Sequence, residues 1–255
     1  MLETSQVVRI EKHRAPGDIA ALTFEDAAAA PVPAPAQDRE LVFVVHGLGG
    51  RKERHIETCL ALAAEGFVAC ALDARFHGER ATAEASSRLL GIEFAMAFAE
   101  AVIGTVDDLA SMARYLGRGR YGIIGHSMGG YIALKAAVTD PRAAVIVSAA
   151  GNPDWTVTAE GTYLPPGARE FALRESPLAR PERFWPRPVL LLHGDADAVV
   201  PVDGARSLYD ALRPHYAGDP QRLSLVEYPR GGHEFTPDMA ARAVAWMSRY
   251  LKETT

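Results

Sequence analysis

The sequence predicts an α/β fold with a mostly parallel central sheet of about eight strands and helices on both of its faces. Short apolar runs recur along the chain, and stretches with helical patterning separate them. Leu41–Val45 is apolar at every position, which is typical of a strand that is buried on both faces. Such strands, alternating with helices, indicate parallel βαβ units.

The predicted elements follow one another with little interruption. The predicted strands occupy residues 5–12, 19–24, 41–45, 67–72, 121–124, 143–147, 189–192 and 223–228. The predicted helices occupy residues 53–65, 88–116, 128–139, 203–212 and 238–251. Gly66 and Gly117 are natural residues for a helix end, and Asp140-Pro141 stops a third helix. The last helix carries an apolar stripe that closes a core, made of Met239, Ala243, Trp246, Met247 and Tyr250.

Two segments depart from this alternation. Residues 27–36 are rich in alanine and proline, and we interpret them as a surface loop between strands, because too few residues precede them to form a domain. Residues 149–188 have no strand character and contain many prolines. Because a compact fold rarely carries so long an irregular connection without a purpose, we expect a small cap or pocket wall there. We therefore predict one domain over residues 1–255.

Composition excludes several classes of protein. Lys and Arg total 27 and Asp and Glu total 32, so the net charge is −5. Since no long basic run is present, nucleic-acid binding is not expected. The most apolar long stretch, residues 89–106, contains Glu93 and Glu100 and does not predict a membrane span. Cys59 and Cys70 lie in apolar surroundings, and the first residues lack a signal-peptide pattern, so we expect a cytoplasmic protein.

A candidate nucleophile lies between a predicted strand and a predicted helix. Gly125-His126-Ser127-Met128-Gly129 has the G-x-S-x-G pattern of a nucleophile elbow, in which a sharp turn exposes the serine hydroxyl. The same turn aims the first N–H groups of the next helix at that point. Ser127 is therefore predicted to be the nucleophile.

A serine needs a base that is held by a third group, and the chain supplies both in the order Ser, Asp, His. Asp195 and Asp197 follow a predicted buried strand, and either carboxylate could serve as the acid. His233 lies in the loop before the last helix and is predicted to be the base. The loop His46-Gly47-Leu48-Gly49-Gly50 also follows a buried strand. The backbone N–H groups of Leu48 and Met128 are predicted to form an oxyanion hole.

With these motifs the chain resembles the α/β-hydrolase superfamily over nearly all of residues 41–251. It is most similar to compact bacterial carboxylesterases related to enzymes of the prolyl-oligopeptidase and dienelactone-hydrolase types. The resemblance implies that Asp197 is the acid, through the pattern H-G-x-x-D-x-x-V at residues 193–200, and residues 73–78 match a D-x-x-x-H-G turn. Two features differ: dienelactone hydrolases have cysteine where Ser127 stands, and Leu48 interrupts the H-G-G-G string of the hormone-sensitive-lipase group.

The remaining polar residues have plainer interpretations. Asp195 is expected to brace its own turn, and Arg75 and His77 to stabilise theirs. His126 is expected to be a packing and hydrogen-bonding residue rather than a second base. Glu93 and Glu100 are expected on a solvated helix face. No H-x-x-x-H pair has a nearby acid, so neither a metal nor a cofactor is predicted.

The leading hypothesis is a serine carboxylesterase that cleaves small-molecule esters of small to medium acyl groups through an acyl-enzyme. A peptidase or amidase, a thioesterase and an acyltransferase would use the same machinery, although 255 residues leave no room for the propeller domain of oligopeptidases. A non-catalytic receptor of the same fold is the alternative from another class. Covalent labelling of Ser127 by a fluorophosphonate would distinguish an enzyme from such a receptor.

Overall fold

The structure is a computed structural model that describes residues 7–27, 39–90, 93–156 and 166–252. These residues contain eight strands: β1 (Val8–Ala15), β2 (Ile19–Asp26), β3 (Leu41–Val45), β4 (Val68–Leu72), β5 (Tyr121–His126), β6 (Ala143–Ala149), β7 (Val189–Gly194) and β8 (Leu223–Tyr228). They form one sheet in the order β1-β2-β4-β3-β5-β6-β7-β8. The pairings β1–β2 and β2–β4 are antiparallel, and every other pairing is parallel. The predicted fold class is confirmed.

Helices cover both faces of the sheet. The described residues contain α1 (Ile56–Ala64), α2 (Ala83–Leu90), α3 (Phe94–Tyr115), α4 (Met128–Thr139), α5 (Pro166–Glu175), α6 (Asp203–Leu212) and α7 (Pro237–Tyr250). Helices α3, α4 and α6 contribute to the core on one face, whereas α1 and α7 contribute to the core on the other. Cys59 and Cys70 are buried, unbridged members of these cores.

Several strands differ from their predicted bounds. The first strand runs over residues 8–15 rather than 5–12, because it pairs along its whole length with β2, from Val8 opposite Asp26 to Ala15 opposite Ile19. Strands β5, β6 and β7 each extend two residues beyond the predicted end. Local propensity does not reveal these extensions, since backbone pairing with neighbouring strands holds the added residues.

The single helix predicted over residues 88–116 is wrong. The chain forms two helices there, α2 and α3, and the sequence between them contains Gly91, which disfavours helix. Thr82 caps the start of α2 by accepting the N–H of Ala85 at 3.1 Å. The predicted helix over 53–65 begins as a 3₁₀ turn at residues 52–55 and continues as α1, with Gly66 at φ +84° just beyond it.

The segment predicted as an irregular cap, residues 149–188, contains an α-helix in the part that the structure describes. Helix α5 covers Pro166–Glu175, and 3₁₀ turns follow at residues 177–179 and 181–183. The Nζ atom of Lys135 on α4 donates to Glu175 at the end of α5, to the main-chain oxygen at 2.9 Å and to Oε2 at 2.8 Å. Residues 157–165 of this segment and residues 28–36 of the predicted surface loop lie outside the described residues.

The last helix packs as its apolar stripe predicts. Thr236 caps it by accepting the N–H of Met239 at 3.2 Å, with Pro237 in the first turn. Met239, Ala243, Met247 and Tyr250 are buried, and Trp246 packs against them while partly exposed. Since α7 follows the loop that carries His233, this packing fixes the far end of that loop.

Candidate active site

The turn between β5 and α4 holds Ser127 in a strained backbone conformation. Its φ is +55° and its ψ is −120°, a backbone conformation that residues other than glycine rarely adopt. The neighbouring glycines make this turn possible: a Cβ on Gly125 would lie 1.9 Å from the carbonyl oxygen of Gly129. A Cβ on Gly129 would lie 2.1 Å from the carbonyl oxygen of Val45. Close backbone packing thus places Ser127 at the start of α4, as the elbow pattern predicts.

The side chains of Ser127, His233 and Asp197 meet at the edge of the sheet where the parallel strands end. The Oγ atom of Ser127 lies 2.8 Å from Nε2 of His233. The Nδ1 atom of His233 lies 2.7 Å from Oδ2 of Asp197. In this arrangement Nδ1–H donates to the carboxylate, and Nε2 is free to accept the hydroxyl proton. The chain therefore aligns a hydroxyl, an imidazole and a carboxylate for proton transfer.

Asp197 is held in its ionised form by the turn that carries it. Its side chain is fully buried, and its Oδ1 accepts the N–H groups of Val199 and Val200, both at 2.9 Å. Burial alone would raise the pKa of Asp197, but the hydrogen bonds from Val200, His233 and Val199 outweigh it and lower the pKa below its usual range. His193 supports the same turn, since its Nε2 donates to the carbonyl oxygen of Val200 at 2.7 Å.

The loop of Leu48 lies against the nucleophile. A Cβ on Gly47 would lie 3.0 Å from Cβ of Ser127, so a larger residue there would have to displace the serine slightly. The N–H of Gly50 donates to the carbonyl oxygen of Gly47 at 3.0 Å, and Gly49 has a φ of +71°. These features define a type II turn with Leu48 at its second position. The structure thus brings the Leu48 loop and the start of α4 together at Ser127.

A buried histidine ties this loop to β4. The N–H of Ala74 donates to Nε2 of His46 at 3.1 Å, so the proton of the neutral ring lies on Nδ1, which donates to the carbonyl oxygen of Gly47 at 2.8 Å. Burial lowers the pKa of His46 to about 4. The sequence placed His46 in the motif but gave no indication of this bond to Ala74.

An ion pair between Lys52 and Asp73 anchors the C-terminal end of the loop that carries Leu48. The carboxylate of Asp73 is fully buried and accepts the main-chain N–H of Lys52 at 2.8 Å and its Nζ at 2.9 Å. It also accepts the N–H of Glu79 at 3.0 Å. Gly78 is required beside it, because a Cβ there would lie 2.1 Å from Oδ1 of Asp73. The D-x-x-x-H-G string therefore fixes the loop that carries Leu48, and Lys52 is a partner that the motif did not reveal.

The other predicted polar residues have structural contacts. Arg75 donates to both carboxylate oxygens of Asp108 at 3.0 Å, and His77 Nδ1 lies 2.8 Å from the carbonyl oxygen of Arg75. Their expected role in stabilising the turn agrees with these bonds. Asp195 does not brace its own turn: its Oδ1 accepts the N–H of Arg230 at 2.6 Å, which joins it to the loop after β8.

Glu93 and Glu100 lie on an exposed surface, as expected, but they are also paired. Both carboxylates accept from Arg88 on α2, at 2.9 Å and 3.0 Å. These pairs link α2 to the start of α3. The single-helix prediction concealed this relationship, because it placed all three residues on one helix.

Within the described residues, no group of three or more His, Cys, Asp or Glu side chains is arranged to hold a metal ion. No helix among those residues has the length and apolar character needed to cross a membrane.

The sheet order, the strained serine turn and the Ser–His–Asp alignment define an α/β-hydrolase. Residues 60–254 match the sequence profile of the prolyl oligopeptidase family, and the chain belongs to that family.

Individual relatives are similar to the chain over most of their length. "Putative esterase YitV" of Bacillus subtilis is 27% identical over 233 residues, which are 83% of this chain and 89% of that protein. Esterase YjfP of Escherichia coli is 27% identical over 223 residues, which are 82% of this chain and 88% of that protein. Among solved structures, TT1662 from Thermus thermophilus superposes with a TM-score of 0.76 at 25% identity, covering 97% of this chain and all of that one.

Proposed function

We propose that the protein is a serine carboxylesterase in which Ser127 attacks the ester carbonyl, His233 is the general base and Asp197 orients and stabilises the imidazole. The observation that carries this proposal is the continuous hydrogen-bond path from Ser127 Oγ through His233 to Asp197, at 2.8 Å and 2.7 Å. The names of the two curated relatives support an ester as the substrate.

The reaction proceeds in two halves. His233 Nε2 accepts the proton of Ser127 as Oγ bonds to the carbonyl carbon, and it then gives that proton to the departing alkoxide, leaving an acyl-enzyme. In the second half a water molecule attacks the acyl carbon with His233 again as base, and the acid leaves as Ser127 regains its proton. Asp197 stays ionised throughout, because its hydrogen bonds favour the charged form.

The developing negative oxygen is stabilised by the main-chain N–H groups of Leu48 and Met128. Met128 is the first residue of α4, where N–H groups have no partner within the helix. Leu48 follows Gly47, where an added Cβ would lie 3.0 Å from Cβ of Ser127. The anchors at His46 and Asp73 support this donor, because a preorganised N–H needs no rearrangement in the transition state.

Small to medium acyl groups fit the surroundings of Ser127 best. Leu48 and Val199 are 45% and 54% exposed, and they belong to the loops that carry the oxyanion donor and Asp197. Tyr131, one helical turn after Ser127, contacts Phe98 with ring centroids 5.1 Å apart. These side chains offer apolar surface of limited extent, so p-nitrophenyl acetate and butyrate should be hydrolysed with higher kcat/KM than the dodecanoate.

The proposal is tested by the hydrolysis of p-nitrophenyl acetate and butyrate by the wild type and by Ser127→Ala. The wild type should turn over both esters, and the variant should lose activity by about 10³-fold or more. Its melting temperature should stay close to that of the wild type. Equal rates for the two proteins would refute the proposal.

A peptidase or amidase is the second candidate, since the family to which the chain belongs is named for prolyl oligopeptidase. The comparison of p-nitrophenyl acetate with p-nitroacetanilide separates the two, because the acyl group is the same and only the leaving group differs. For an esterase, the ratio of kcat/KM for the ester to kcat/KM for the anilide should far exceed the ratio of the two uncatalysed hydrolysis rates. A peptidase should hydrolyse anilides of amino acids or short peptides at comparable kcat/KM.

We place the enzyme in the cytoplasm, acting on a small-molecule ester. The supporting observation is that Cys59 and Cys70 are both buried and unbridged, which suits a reducing compartment. Burial raises the pKa of both thiols, so they are unreactive core residues. Subcellular fractionation with an antibody to the chain tests the location.

A further inference from the structure

The residue immediately before the nucleophile is bonded to the main chain of the proposed base. Nε2 of His126 lies 2.9 Å from the carbonyl oxygen of His233, across 107 residues of sequence. Since a carbonyl can only accept, the Nε2–H of His126 is the donor. This bond therefore joins the turn that bears Ser127 to the main chain of the loop that bears His233.

The main chain of the loop that carries His233 has few other hydrogen bonds near that residue. Residues 229–236 belong to neither β8 nor α7. In the described part of the chain no backbone–backbone hydrogen bond includes His233. The nearest ones in sequence are both at Gly231: its carbonyl oxygen accepts the N–H of Ala196 at 3.0 Å, and its own N–H donates to the carbonyl oxygen of Tyr228 at 2.9 Å. The bond from His126 is thus the main-chain anchor of the base itself.

The His126 ring is also packed against its surroundings. Its centroid lies 5.4 Å from the ring of His233 and 5.6 Å from that of Phe235, while His55 meets it edge-on at 5.8 Å. Burial lowers the pKa of His126, and the nearby charges on His233 and Arg54 act in the same direction. A neutral ring is required here, since a second positive charge would oppose the imidazolium that forms on His233 during the reaction.

We propose that His126 is a positioning residue for the esterase: its Nε2–H holds the main chain of His233 so that the imidazole stays directed at Ser127 Oγ. The proposal rests on the proposed function. Because His126 acts through His233 in this proposal, its loss should lower kcat while KM stays close to the wild-type value. A displacement of about 1 Å in such a group can cost about 10²-fold in rate.

Two substitutions at residue 126 separate the hydrogen bond from the packing. His126→Gln keeps an N–H donor at a similar distance from the main chain, whereas His126→Phe keeps an aromatic ring against Phe235 and His55 but has no donor. We expect His126→Phe to lower kcat for p-nitrophenyl acetate, and the rate of fluorophosphonate labelling, by about 10- to 100-fold. We expect His126→Gln to stay within a few-fold of the wild type in both. If His126→Phe does not fold, as judged by thermal denaturation, His126→Met replaces it.

His55→Phe is the matched packing control. His55 contacts the rings of both His126 and Phe235 but has no hydrogen bond to His233 in the described structure. This variant should keep wild-type kcat. The positioning role is overturned if the variant without a donor is as active as the wild type, if His126→Gln is equally impaired, or if His55→Phe loses as much activity as His126→Phe. Failure of the esterase proposal is distinguishable, because the wild type itself would then hydrolyse no ester.

Discussion

Asp197 directs its two carboxylate oxygens to different tasks: Oδ2 lies 2.7 Å from Nδ1 of His233, while Oδ1 accepts two main-chain N–H groups of its own turn. Asp195, two residues earlier, has no such contact with His233 and instead accepts the N–H of Arg230 at 2.6 Å. The sequence allowed either Asp195 or Asp197 to be the acid that contacts His233, and the geometry selects Asp197.

This difference predicts opposite outcomes for the same substitution at the two positions. Asp197→Asn should lower kcat for p-nitrophenyl acetate by about 10³- to 10⁴-fold, because the amide no longer favours the correct tautomer or charge of the imidazole. Asp195→Asn should stay within a few-fold of the wild type, because its amide oxygen still accepts from Arg230. Steady-state kinetics on both variants checks this, and the reverse order of the two effects would assign the acid to Asp195.

The type II turn at residues 47–50 allows the oxyanion donor to be removed without changing the turn. Proline is favoured at the second position of such a turn and lacks an N–H, so Leu48→Pro should fold and lower kcat by about 10²- to 10³-fold. Leu48→Ala keeps the N–H and loses only a half-exposed side chain, so its kcat should be close to that of the wild type. Equal kcat values for the proline and alanine variants would remove Leu48 N–H from the mechanism.

Because the backbone is closely packed at the serine turn, we predict that adding a single methyl group at Gly125 causes a large loss of stability. In Gly125→Ala the added carbon would lie 1.9 Å from the carbonyl oxygen of Gly129, so β5 and α4 must separate. We expect a loss of about 3 kcal/mol or more in the free energy of unfolding. Gly119→Ala, where nothing lies within 4 Å, is the control and should change it by less than about 0.5 kcal/mol. Urea denaturation measures both, and similar stabilities for the two variants would contradict the packing argument.

Because His46 is buried and neutral, we predict that the protein becomes less stable as the pH is lowered. Burial lowers its pKa in the folded protein to about 4, below the value of about 6.5 expected in the unfolded chain. Between these values the unfolded state binds the additional proton, so the free energy of unfolding decreases as the pH falls through this window. From pH 7 to pH 4.5 the contribution of His46 is about 2 to 3 kcal/mol.

Urea denaturation of the wild type and of His46→Gln at both pH values isolates this contribution. Glutamine does not titrate, so the variant should lose less stability between pH 7 and pH 4.5, whatever its stability at pH 7. The same pH dependence in both proteins would mean that His46 is not the group responsible.

Strand and motif patterns predicted the sheet well, because strands such as β3 and β4 are buried on both faces and their apolar runs record that burial. The serine turn was predictable for a similar reason, since Gly125 and Gly129 stand where only glycine fits. Ser127, His233 and Asp197 were singled out from loops that follow parallel strands, and such loops meet at one edge of a sheet.

Long-range contacts were not predictable from local pattern. The break between α2 and α3 involves Arg88 pairing with Glu100, and the bond from His126 to His233 spans 107 residues. Helix α5 lies in a proline-rich segment, where composition favours irregular structure. In each case the deciding interaction is tertiary, and the local pattern of a single sequence reveals little about such interactions.

The most direct test of the proposed mechanism is a rapid-mixing experiment with p-nitrophenyl acetate, combined with mass spectrometry of the quenched enzyme. An acyl-enzyme mechanism predicts that each enzyme molecule carries one acetyl group on the peptide that contains Ser127, and that Ser127→Ala carries none. Turnover of the ester by the wild type with no acetyl group on that peptide at any mixing time would contradict it.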